Sequence, residues 1–227
     1  ALNYHDTPKI ESSALEQQLI FYKKHFSDVG ISDLDQFFEN QKWHKDKPGL
    51  IISFDDGLRS NYDIAKPLLE KYGFTGWFFI PTDFPGTVVD EQKIFMNNHS
   101  IIARINYNDG RMAMTWNEIQ QLDKKHVIGS HTKSHHRMVA STSNNKLQSE
   151  IIVSKKILEE KLGHTIDLFC WVGGEEFAYS DQAAQTIREA TYKYSFMSNC
   201  MPITIHTNPL QLQRNNVETS WPINLVK

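Results

Sequence analysis

Cysteine is scarce in this sequence. Cys170 and Cys200 are the only two in 227 residues, too few for the disulfide framework of a small secreted domain. An excess of charge of either sign is missing as well: 24 basic residues stand against 27 acidic ones, for a net charge of −3. So even a balance argues against a nucleic-acid-binding face. No window approaches the roughly 18 consecutive apolar residues of a membrane-spanning helix. The opening residues, Ala1-Leu2-Asn3-Tyr4-His5, show no basic stretch followed by an apolar core, so no leader is read and a cytoplasmic location is expected. Internal repeats, charge blocks and Gly/Ser-rich linkers are absent too, and residues 1–227 are expected to form a single domain. What remains is 40% hydrophobic and 22% charged, the composition of an ordinary globular protein.

Short apolar runs alternate with amphipathic stretches along the chain. Strands are predicted at Leu50 to Phe54, Thr75 to Ile80, His126 to Gly129, Ile166 to Val172, Tyr194 to Met197 and Leu210 to Arg214. Between them lie helical patterns. Asn61 to Tyr72 stops at Gly73, and Thr115 opens a helix with Glu118 in the capping-box position. Ser143 to Leu162 carries an apolar stripe and ends at Gly163, and Ser180 caps a helix through Ala190. Two more helices, Leu15 to Phe26 and Leu34 to Phe38, precede the first of these strands. Strands alternating with helices predict an α/β fold with a mainly parallel sheet, open or closed. In such folds ligands sit at the C-terminal ends of the strands, so the reactive side chains are expected just after the apolar runs.

They are found there. Asp55 and Asp56 follow Ile51-Ile52-Ser53-Phe54 directly, and Gly57 allows the sharp turn that two adjacent carboxylates need to share a site. Asp-Asp-Gly also serves as a plain turn or helix N-cap. His131 and His135 follow the run His126 to Gly129, and a spacing of four puts two imidazoles within reach of one metal ion. Solvated loop histidines are the bland alternative, and His136, His44, His99 and His164 are read as bystanders. Taken together, the two motifs offer one carboxylate and two imidazoles as ligands, with one carboxylate left over as general base. That set suits zinc or another borderline metal with an open position for water, and the chemistry it predicts is metal-assisted hydrolysis.

Ser53-Phe54-Asp55-Asp56-Gly57 resembles the Thr/Ser-Phe-Asp-Asp-Gly motif of the polysaccharide deacetylase family, carbohydrate esterase family 4, also called the NodB-homology domain. His131-Thr132-Lys133-Ser134-His135 resembles that family's His-Ser/Thr-x-x-His motif. Tyr4-His5, Met114-Thr115-Trp116 and Gly76 to Pro81 are similar to further family segments. The resemblance implies a distorted, incomplete (β/α) barrel of about seven parallel strands and one divalent metal ion, usually zinc. It implies Asp55 as catalytic base and Asp56, His131 and His135 as ligands. The implied partner is an N-acetylated carbohydrate, from which acetate is released to leave a free amino sugar, as in a capsule or O-antigen precursor. Related readings keep the metal with a formyl or small non-sugar amide, or keep the fold as a catalytically silent metal- or glycan-binding domain.

The sequence departs from the family pattern twice. Where the family has Arg-x-Pro-Tyr-Gly, this chain has Cys170-Trp171-Val172-Gly173-Gly174, and the family's late Leu-x-His is not recognisable. Arg214 is the candidate to replace the lost arginine beside Asp55, because it ends the run Leu210 to Arg214. Gly173 is the candidate backbone N–H for the oxyanion. Trp171 is either core or a sugar-stacking wall, and His206 is either a proton donor or a solvated loop residue.

Overall fold

The structure is a computed structural model and describes residues 1–226. Its ten strands are Leu2–Tyr4 (β1), Ser27–Asp28 (β2), Gly49–Leu50 (β3), Ile52–Phe54 (β4), Gly76–Ile80 (β5), Val127–Ser130 (β6), Leu168–Cys170 (β7), Tyr194–Met197 (β8), Leu212–Gln213 (β9) and Asn215–Asn216 (β10). Strands β2 and β3 form a small parallel ribbon, and the other eight make one parallel sheet in the order β10-β1-β4-β5-β6-β7-β8-β9. The two ends of that order are one piece of chain. Leu212 and Gln213 pair with Phe196 and Met197, then Asn215 and Asn216 pair with Leu2 and Asn3. A single stave, interrupted only by Arg214, therefore closes the sheet on itself. Seven staves form the barrel, and its distortion is plainest between β6 and β7, where the register holds one pair, Ser130 opposite Phe169.

Parallel strands buried on both faces read as unbroken apolar runs, and β5, Gly-Trp-Phe-Phe-Ile, is buried throughout. Alternate residues serve the two faces. Trp77 and Phe79 join Leu168, Cys170, Tyr194, Phe196 and Leu212 inside the barrel. Phe54, Phe78, Ile80 and Phe169 pack outward against helix residues such as Leu19, Leu69, Ile119, Ile151 and Leu158. Val29 and Leu34 belong to the inner cluster, and the Trp77 indole N–H donates to the Val29 carbonyl at 2.8 Å. The segment that includes helix Ile31–Asn40 thus closes the barrel floor.

The predicted elements differ from the structure in a few places, each with a local cause. The run Leu50 to Phe54 is split at Ile51, because Leu50 pairs with Asp28 in the ribbon and Ile52 with the barrel. Both long helices contain π-helical turns, Asn61–Ala65 before Lys66–Tyr72 and Gln148–Val153 before Ser154–Leu162. The capping box at Thr115, the Ser143 and Ser180 N-caps and the left-handed Gly163 stop are present. Helix Val89–His99 was not predicted, since its stripe is weak and only Gln92 and Met96 are buried.

Candidate active site

Five sequence-selected side chains, Asp55, Asp56, His131, His135 and Arg214, meet at the C-terminal mouth of the barrel. The Asp55 N–H continues the ladder by donating to the Tyr4 carbonyl at 3.0 Å. Asp56 then takes φ 72° and Gly57 φ 65°, a left-handed turn that brings two consecutive carboxylates to one side. For a residue with a Cβ such a conformation costs on the order of 1 kcal/mol, and it persists where the surroundings enforce it.

The His131 Nδ1 lies 3.0 Å from the Cys170 carbonyl, and the His135 Nδ1 lies 2.6 Å from the His99 carbonyl. A carbonyl only accepts, so both Nδ1 atoms carry the proton and both Nε2 atoms face inward. Nε2 of His135 is 3.0 Å, and that of His131 3.6 Å, from the same Asp56 oxygen, Oδ1. That oxygen is buried and has no hydrogen-bond donor. These three atoms lie close enough together to hold one cation between them. Burial pushes the His131 imidazole down to about 4, against the pull of Asp55. Burial also lowers His135, but Asp56 outweighs it and the net shift is upward.

Glu150 holds the loop between the two histidines. It is 1% exposed and sits in the π-helical turn Gln148–Val153. Its carboxylate accepts from the N–H groups of Lys133 and Ser134 at 2.9 and 2.8 Å and from the Ser134 hydroxyl at 2.7 Å. Thr132 and His135 adopt positive φ on either side of that anchor.

The second carboxylate is held differently. Arg214 Nη1 and Nη2 donate to the two Asp55 oxygens, each at 2.8 Å. The guanidinium is 1% exposed and also donates to Asn3 Oδ1, Ser53 Oγ and the Met197 carbonyl. Cys170 Sγ lies 2.8 Å from Nη2 and 3.7 Å from the nearer Asp55 oxygen. Burial pushes the Asp55 carboxyl up, but Arg214 and His131 outweigh it and hold it well below the usual carboxylate range. Burial raises the Cys170 thiol well above its ordinary value. Asp55, His131 and Cys170 form a second close group, yet Asp55 there is already paired with Arg214. The set with uncommitted acceptors is Asp56, His131 and His135.

A cavity of about 560 Å³ opens above these residues, and Gly173 lines it. Trp171 does not. It is 1% exposed, stacked on Tyr179 at 5.2 Å and bonded through its indole N–H to Ser195, so the sugar-wall alternative gives way to the core one. His206 is exposed in the turn Thr204 to Thr207 and does not line the cavity, a position that fits the solvated-loop alternative. Two supposed bystanders take part: the His99 carbonyl orients His135, and His136 lines the cavity. His5 was missed as a site residue. It follows β1, lines the cavity and lies near enough to both aspartates to help lower their carboxyls, and the strand-end rule applied to Tyr4-His5 would have found it.

The model of the family described as polysaccharide deacetylase matches residues 42–195. The chain belongs to that family. Among solved structures, the Streptococcus pyogenes deacetylase PplD in complex with acetate is 18% identical with a TM-score of 0.76, over 99% of this chain and 95% of its own. The de-N-acetylase of Aggregatibacter actinomycetemcomitans is 15% identical with a TM-score of 0.76, over 99% and 97%. The BpsB deacetylase domain of Bordetella bronchiseptica is 16% identical with a TM-score of 0.74, over 96% and 94%. At such identities these likenesses speak for the fold. No curated protein sequence is significantly similar to the chain. The polysaccharide deacetylase barrel here lacks any helix long and apolar enough to cross a membrane among its described residues.

Proposed function

We propose that the chain is a metal-dependent hydrolase that removes N-acetyl groups from an acetamido sugar of a glycan or glycan precursor. The observation that carries this is the buried Asp56 oxygen without a donor, faced by two imidazole nitrogens whose opposite nitrogens are committed to carbonyls. Asp56, His131 and His135 would hold one divalent ion, and two imidazoles with one carboxylate favour zinc. Bound there, the ion supplies Lewis acidity and lowers the pKa of water.

The chain's own groups do the rest. Asp55, kept ionised by Arg214, takes the proton of the attacking water. Gly173, on the cavity wall, offers its N–H to the oxyanion as the amide carbonyl becomes tetrahedral. His5, which lines the cavity and acts on both aspartates, is the imidazole placed to give a proton to the departing amine. Arg214 is a positioning residue: it orients Asp55 without meeting substrate. That an arginine from another stave takes the place of the family's supports an active site over a silent domain.

The test is acetate release from a panel of N-acetylated oligosaccharides by zinc-loaded protein, with metal content measured in parallel. His131→Ala is expected to lose most of the zinc. Asp55→Asn is expected to keep it while turnover drops about 10³-fold, the scale of a lost general base. Zinc content independent of Asp56, His131 and His135 would overturn the assignment.

A further inference from the structure

Cys170 stands at the centre of the site, and its side chain has no part in the chemistry above. It ends β7, is fully buried, and falls in the sequence where the family pattern has its arginine. Its Sγ lies 3.7 Å from Asp55 Oδ2, and His131 Nε2 lies 3.9 Å from that same oxygen. Sulfur, nitrogen and oxygen are all within 4.8 Å of one another. The His131 Nδ1 proton is committed to the Cys170 carbonyl, so the Nε2 lone pair is free for a cation. That lone pair is single. An ion takes it either with Asp56 and His135 or with Asp55 and Cys170, and not in both ways at once.

The two sets differ in spacing and in softness. Ligands about 2.0–2.3 Å from a tetrahedral zinc ion stand roughly 3.3–3.8 Å from one another. Asp56 Oδ1, at 3.0 and 3.6 Å from its two imidazole nitrogens, falls within or below that range. Asp55 Oδ2, at 3.7 and 3.9 Å from sulfur and nitrogen, falls at its upper end or above. The wider set also contains the sulfur, and thiolate selects soft ions. We propose that Asp55, His131 and Cys170 are an alternative site for a soft, thiophilic cation larger than zinc, such as cadmium, and that filling it disarms the catalytic centre. The site stands on these three side chains alone; the disarming rests on the reading of Asp55 as general base.

Arg214 does not bar the ion. Its guanidinium takes one lone pair on each Asp55 oxygen, and a carboxylate oxygen keeps a second. Nη2 also lies 2.8 Å from Cys170 Sγ, where it donates to the thiolate that the ion creates. Formation of the metal–sulfur bond expels the thiol proton to water, so the exchange balances as one divalent cation in and one proton out. With the imidazoles neutral, two aspartates against one guanidinium leave one negative charge, which this exchange cancels. The cation reaches the sulfur by way of the cavity, which Asp55 and His131 line and Cys170 does not. Once held there, it occupies the oxygen that accepts the proton of water and withdraws His131 from the zinc set.

Cadmium alone is the probe, and thiolate-to-cadmium charge-transfer absorption in the ultraviolet reports the sulfur bond without any substrate. All proteins carry Cys200→Ser, which removes the exposed thiol. The full chain is expected to develop this absorption with the first equivalent of cadmium. Cys170→Ser should abolish it and weaken cadmium binding more than roughly 100-fold, a larger loss than removing an outer partner causes. His135→Ala should keep the absorption, because the second site does not use that residue, and this variant decides the matter if the serine variant misfolds. Cadmium added to zinc-loaded protein should stop acetate release, and Cys170→Ser should blunt that inhibition. Absence of the absorption, its loss in His135→Ala, or cadmium binding and inhibition indifferent to Cys170 would each overturn the proposal. Cadmium binding through Cys170 in a protein that releases acetate from no sugar would sink the de-N-acetylase reading and leave the site standing.

Discussion

Asp55 and Arg214 show how a site can keep an interaction while moving the residue that makes it. A guanidinium meets a carboxylate at two points, and lysine cannot copy that fork. Arg214→Lys is therefore expected to lower turnover roughly ten- to a hundredfold with zinc content unchanged, as steady-state kinetics and elemental analysis would show. An equal loss of zinc would mean that the arginine supports the fold and not the base. The sequence made Asp55, Asp56, His131 and His135 legible, because each follows an apolar run and carries a characteristic spacing. His5 was less legible, since its strand has three residues and a lone histidine has no spacing to betray it. The contact between Arg214 and Asp55 spans 159 positions, a distance over which periodicity carries no information.

Among the elements, the helices act as clamps on loops. The π-helical turn Asn61–Ala65 lets Asn61 donate to the His5 carbonyl at 2.7 Å, and the turn Gln148–Val153 aims Glu150 at the loop of the two histidines. Such turns cluster at functional sites because they redirect a side chain without ending the helix. Their sequences look like ordinary amphipathic helix, so an i, i+4 stripe reads straight through them. Glu150→Ala should release Thr132 and His135 from their strained backbone and weaken zinc binding about 10- to 100-fold, the usual effect of removing an outer partner of a ligand. Chelator competition measures this directly. Glu150→Gln keeps a carbonyl for the two N–H groups and should restore part of the affinity; a Gln variant as weak as Ala would argue that the charge and not the anchor matters.

For the whole molecule, a bound metal would compete with protons for one buried cluster. Burial holds His131 at about 4 when folded, against about 6.5 in an unfolded chain. Its contribution to stability is complete above 6.5 and is lost as pH falls toward 4. His135, raised by Asp56 against the effect of burial, contributes with the opposite sign and loses its share as pH rises through its folded pKa. Metal-free protein should therefore melt at lower temperature at pH 5 than at pH 7, and His131→Gln should flatten that dependence. Zinc should raise the melting temperature at pH 7, with the gain shrinking toward pH 5 as protons displace it. A melting temperature indifferent to zinc at pH 7 would contradict the ligand set. The barrel itself was legible from alternating strands and helices. Its closure was not, because two-residue strands on either side of Arg214 leave no pattern to read.

That closing stave also sets a calendar for the newborn enzyme. Both aspartates and both histidines emerge from the ribosome before Arg214, so a nascent chain would carry the full set of candidate ligands while Asp55 still lacks its orienting partner. On that order Asp55 would gain its partner last, when residues 212–216 dock between β8 and β1. Run backwards under mild denaturant, the same order should appear: the terminal stave peels first, acetate release stops, and zinc leaves only as the remaining staves part. Simultaneous loss of turnover and zinc along a urea series would refute that ordering. If it holds, turnover works as a proofreading signal for a finished barrel.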